Sequence, residues 1–221
     1  MIKAVLFDCD GLMFETELLS QQMWYDEAAK AGVTLPDDFF MHITGTSGPR
    51  EEEYLAEVLK GTGVRAAMRK RRFDPAFWLS LDEDFLNKYG LVELVQYLRS
   101  HGYLTAVCSS SGREYVEMLL SKVSVPLVFE AVIGGKDVTH SKPDPEIFLK
   151  GAAALGVDPS ECLVLEDSKN GILAARNAGM RSVFIRDTIE PDAEMKQAID
   201  ISLFSLMDVI DLLEGNLDAK L

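Results

Sequence analysis

Hydrophobic and polar positions along this chain fall into two textures. Residues 4–7 (Ala-Val-Leu-Phe) are a short unbroken apolar run, too short for a helix and suited to a central strand buried on both faces. From about Glu15 to Ala31 the apolar positions Leu18, Leu19, Met23, Trp24, Ala28 and Ala31 recur at helical spacing, and Gly32 is a stop. Residues 36–86 stay helix-like, without β-alternation, and are broken near 45–49 and 61–63. From Tyr89 onward compact apolar runs alternate with amphipathic stretches. The pattern predicts strands over 103–108, 128–133, 162–165 and 181–185, and helices over 91–101, 145–155 and 168–178. Asp144 and Ser168 are the expected caps of the last two. A terminal helix is expected over 203–213. Strands alternating with helices of this length imply βαβ units, hence an α/β fold: a Rossmann-like, doubly wound parallel sheet. The expected core is 1–14 with 88–221, and 15–87 is an inserted α-helical domain.

In such sheets ligands bind beyond the carboxyl ends of the strands. Four predicted strands run out into polar clusters there: Asp8 and Asp10 after the first, Ser109 in a Ser109-Ser110-Ser111-Gly112 run, the segment carrying Lys142, and Glu166-Asp167. Residues two apart in extended chain point the same way, so Asp8 and Asp10 can face one point, and Gly11 lets the chain turn. Carboxylates gathered at one point repel unless a cation joins them or one takes up a proton. Acids, a hydroxyl and one lysine together suit phosphoryl transfer around a hard cation such as Mg²⁺. No G-x-x-x-x-G-K-[ST] loop is present, no G-x-G-x-x-G follows the first strand, and there is no G-x-S-x-G, so nucleotide, dinucleotide and serine-hydrolase chemistry lose support.

Composition narrows the partners. With 36 acidic against 22 basic residues the formal charge is -14, which argues against a nucleic-acid ligand. The basic cluster Arg65, Arg69, Lys70, Arg71, Arg72 is the exception; 65, 69 and 72 share a helical face that is either solvated or attractive to an anionic substrate. No stretch reaches the ~20 apolar residues of a membrane span, and no signal-peptide pattern opens the chain. The three cysteines sit in apolar contexts and do not form a disulfide framework. A cytoplasmic monomer is the expectation.

The motifs Asp8-x-Asp10-Gly11, Ser109 after its strand, Lys142-Pro143-Asp144-Pro145, and Glu166-Asp167-Ser168 with Asn170-Gly171 occur in that order. Over nearly its whole length the chain thereby resembles the haloacid dehalogenase superfamily, in its phosphatase and β-phosphoglucomutase-like branch. The resemblance implies that Asp8 is the nucleophile that becomes an aspartyl-phosphate and Asp10 the general acid and base. It implies phosphate binding by Ser109, with Ser110 and Ser111 as register alternatives, and charge neutralisation by Lys142. Mg²⁺ would be held by Asp8, the Asp10 backbone carbonyl and Asp167, with Glu166 as direct or outer support. The insert would be a mobile cap, with Arg50 in the 45–50 loop and Trp24 as candidate substrate contacts. Tyr89-Gly90 departs from the family's Pro-Gly after the cap. The implied activity is Mg²⁺-dependent hydrolysis of a small phosphorylated metabolite, a sugar phosphate being expected. The alternative is a sugar phosphomutase using the same aspartyl-phosphate. A phospho-acceptor signalling domain fits less well, because its acceptor follows the acidic pair, whereas Asp8 lies on the first strand.

Overall fold

The computed structural model describes residues 1–43 and 49–217. Most of the loop expected to contact substrate, 45–48, lies outside the described residues, and so does the side chain of Arg50. The chain forms two compact units, residues 1–15 with 82–221 and residues 16–81, so residues 82–87 go with the larger unit and not with the insert.

The larger unit is built on a parallel sheet of six strands: β1 (Ala4–Phe7), β2 (Leu104–Cys108), β3 (Ala131–Ile133), β4 (Cys162–Glu166), β5 (Arg181–Ile185) and β6 (Ile201–Leu203). Their order is β3-β2-β1-β4-β5-β6, with every pairing parallel. β1 is central, with Leu6 opposite Ala106 on one side and Val164 on the other. All four of its residues are fully buried. A strand covered on both faces and paired on both edges needs apolar side chains at every position, which is why residues 4–7 do not alternate. The helix Glu146–Leu155 packs Ile147, Phe148 and Ala152 onto the face that carries Leu6, Ala106 and Val164.

The differences from the sequence expectations are confined to elements with weak patterns. β6 and the helix Ala193–Ala198 were not expected, and the last helix begins at Met207 instead of 203, because 201–203 pair with β5. β3 covers only 131–133. Asp144 does accept from the Glu146 backbone N–H at 2.9 Å, but the helix starts at Glu146 and not Pro145. Cys9, Cys108 and Cys162 are buried and in no disulfide. No helix among the described residues is long and apolar enough to cross a membrane.

The smaller unit is helical wherever it has regular structure among the described residues. Trp24, 8% exposed, meets the ring of Phe39 edge-on at 5.3 Å, which is the packing of a core side chain and not of an open sugar platform. The basic cluster is partly neutralised inside this unit: Arg71 pairs with Asp26 at 2.8 Å and Glu27 at 3.3 Å, and Arg65 pairs with Glu52.

Phe184 is fully buried with Ile172, Met195 and Ala198 beneath the β5 face. Replacing it by alanine opens a cavity, and Phe184→Ala should lower unfolding free energy by about 3–5 kcal/mol in urea titrations.

Candidate active site

The site is assembled where the central strands end. Asp8 follows β1, Ser109 follows β2, and β4 delivers Glu166 and Asp167. Lys142 arrives on the loop after β3 and is 7% exposed. Its Nζ donates to Asp8 Oδ1 and, at 2.6 Å, to Glu166 Oε1, and it stands 4.9 Å from the centre of the Phe148 ring. Phe148 thus covers the lysine from the apolar side and leaves the two carboxylates to balance its charge.

Glu166 is fully buried and held on both oxygens. Oε1 takes the lysine; Oε2 accepts from the Asp167 and Ser168 backbone N–H groups at 3.1 and 3.0 Å and from Ser168 Oγ at 2.9 Å. These donors open the helix Lys169–Asn177, whose cap is Ser168: its oxygen also accepts from the Gly171 N–H at 3.0 Å. Orphan amides at a helix start favour an anion. Gly171 is required by space: a Cβ there would overlap the Glu166 carboxylate.

Ligand oxygens of Asp8, Glu166 and Asp167 lie within 4.8 Å of one another, all three residues being buried. Three carboxylates face one ammonium, an imbalance that a hard divalent cation with oxygen ligands would correct, so the donor set fits Mg²⁺. The crowding shows in the titration of Asp8. Burial first, then the charges of Glu166 and Asp10, push it up to about 7 against the pull of Lys142. For Lys142 burial acts downward, yet Asp8 and Glu166 outweigh it and hold the ammonium above its ordinary value.

The remaining expected residues are placed as follows. The Asp10 carboxylate stands apart from that cluster's ligand set; Oδ2 accepts from Ser111 Oγ at 2.6 Å, and Oδ1 lies 3.4 Å from Tyr115 OH. Ser109 is buried, and its Oγ accepts from the Ser111 N–H at 3.0 Å. Ser110 is exposed. Trp24 belongs to the other unit's core. Sequence reasoning missed Asp187, an acid just past β5 whose side chain is 7% exposed, and Lys88, which binds its Oδ1 at 2.6 Å.

Gly171→Ala offers a test with a reversed sign. In an open helix this change stabilises by about 1 kcal/mol. Here it should destabilise by about 1–3 kcal/mol in denaturant titrations and displace Glu166. A second expectation follows from Asp8. A cation needs the ionised carboxylate, so calorimetric Mg²⁺ affinity should fall as pH drops through about 7, approaching tenfold per pH unit, with proton release on binding.

Similarity to known proteins agrees with this architecture. Hexitol phosphatase B of Escherichia coli (strain K12) is 28% identical over 224 residues, 94% of each chain. The chloroplastic protein SUPPRESSOR OF QUENCHING 1 of Arabidopsis thaliana is 33% identical over 227 residues, covering 95% of this chain, which spans only 21% of that protein. The crystal structure of CbbY from Rhodobacter sphaeroides in complex with phosphate superposes with a TM-score of 0.75 at 25% identity, covering 95% of this chain and 96% of that one. The family model of the haloacid dehalogenase-like hydrolases matches residues 2–179, and this chain, with its acids gathered at the end of a central parallel strand, belongs to that family.

Proposed function

We propose that this protein is a phosphatase that hydrolyses small phosphorylated metabolites, sugar phosphates foremost, through a phosphoenzyme on Asp8. The observation that carries the reading is the buried pairing of Lys142 with Asp8 and Glu166 beside Asp167. Likeness to hexitol phosphatase B over nearly the whole of both chains supports hydrolysis of a polyol or sugar phosphate. Likeness to CbbY in complex with phosphate supports the choice of a phosphate ester.

In the proposed reaction an Asp8 oxygen attacks phosphorus and the bond to the ester oxygen breaks, that oxygen leaving with a proton from Asp10. Water then attacks phosphorus and Asp10 takes its proton; the bond to Asp8 breaks, releasing phosphate and restoring the carboxylate. Lys142 lowers the repulsion between Asp8 and an incoming phosphate dianion, and its second bond to Glu166 keeps it there. Ser111 and Tyr115 steady Asp10 between transfers. Ser109 is the proposed phosphate contact. Asp8, Asp167 and the Asp10 carbonyl would hold Mg²⁺, with Glu166 in support, and the ion would spread the charge of the phosphate oxygens as a Lewis acid. The helical unit is proposed as the cap that selects the substrate.

The test is hydrolysis of an aryl phosphate and a panel of sugar and hexitol phosphates. Asp8→Asn should lower kcat by a factor on the order of 10⁴ or more, and Asp10→Asn by about 10²–10⁴, with both variants folded. EDTA should abolish turnover and Mg²⁺ restore it. Wild-type rates in either variant would refute the assignment.

A further inference from the structure

Asp187 stands two residues beyond the last residue of β5, next in the sheet to β4. Its side chain is only 7% exposed, although its neighbours Arg186 and Thr188 are exposed. One oxygen is accounted for: Oδ1 accepts from Lys88 Nζ at 2.6 Å, and the same ammonium reaches Glu15 Oε2 at 3.0 Å. The other, Oδ2, is buried and has no hydrogen-bond partner. A buried carboxylate oxygen without a donor has lost its water and gained nothing in return, so a donor belongs at that point.

The backbone of Gly11 shows where the oxygen points. A Cβ on Gly11 would stand 3.1 Å from Asp187 Oδ2 and would overlap Asp167 Oδ2. Both acids therefore line the small space beside Gly11, which the left-handed φ of 78° and the missing side chain keep open. Asp167 is one of the three acids whose ligand oxygens converge. Mg²⁺ dehydrates reluctantly and keeps several waters, each a strong donor to a carboxylate in the next layer.

We propose that Asp187 is an outer carboxylate of the cation site, its free Oδ2 accepting a hydrogen bond from a water on the divalent ion. This rests on the reading that Asp8 and Asp167 hold that ion. Asp187 adds negative charge without occupying a coordination position, and Lys88 fixes its orientation through the opposite oxygen.

The test is Mg²⁺ binding by titration calorimetry on the full chain, with metal-free melting temperature as the fold control. Variants are Asp187→Asn, Asp187→Ala, Lys88→Met and Asp167→Asn. Both Asp187 variants should bind Mg²⁺ about tenfold more weakly than wild type. Lys88→Met breaks the same ion pair but keeps the carboxylate, and its loss should be smaller than that of Asp187→Ala. If Asp187→Asn binds within about twofold of wild type, or Lys88→Met loses as much as Asp187→Ala, the proposal is overturned. If Asp167→Asn also binds like wild type, the underlying assignment of the ion site fails first, and the two failures are separable.

Discussion

A lysine ammonium withdrawn from water must be compensated at short range, and the compensation of Lys142 is the constraint around which this molecule is organised. Its partners come from different parts of the chain: Asp8 lies 134 residues before the lysine and Glu166 24 residues after it. The sheet, in which β1 lies beside β4 with β2 and β3 continuing on the far side, brings those three together. The topology and the electrostatics therefore depend on each other. Removing one acid would leave the ammonium under-compensated in a low-dielectric environment, a far larger penalty than the loss of an exposed pair.

The hydrogen bonds divide the acids by freedom. Glu166 is committed on both oxygens, to the lysine on one side and to Ser168 and two backbone amides on the other, so it behaves as part of the scaffold. Asp8 is bound to the lysine and has its charge state under tension from its surroundings. Asp10, two residues on, accepts from the hydroxyl groups of Ser111 and Tyr115. One motif thus delivers two carboxylates into different environments.

How much of this was legible in the sequence follows from how strongly each element is patterned. β1, β2, β4 and β5 announce themselves because strands buried on both faces are dominated by apolar residues; the expected limits of β1 and β5 match, and those of β2 and β4 each differ by one residue. β6 has three residues, of which only Ile201 is buried, and pairs with β5 alone, so its pattern merges with the helix that follows. Ser168 was readable as a cap, whereas its second bond to Glu166 was not, since it depends on the close approach of Gly171. Asp187 was missed for a related reason: it sits among Arg, Thr, Glu and Pro, where an acid reads as a solvated loop residue, and only burial sets it apart. A strand-end acid on β5, parallel to those on β1 and β4, is the signal that would have found it.

The two passages of chain that flank the helical insert are stitched together within the larger unit. Phe14 bridges Asn87 in antiparallel fashion, Glu15 N–H donates to Leu86 O at 2.8 Å, and Lys88 N–H donates to Met13 O at 3.0 Å. This clasp means that the chain leaves and returns through a single doorway, whatever is folded outside it. Loop-closure entropy grows only slowly with the length enclosed, so the clasp tolerates inserts of very different size. The insert is for that reason a replaceable module. The clasp and the strand-end acids both belong to the larger unit, so a change of length between residues 16 and 81 leaves their connection to each other intact.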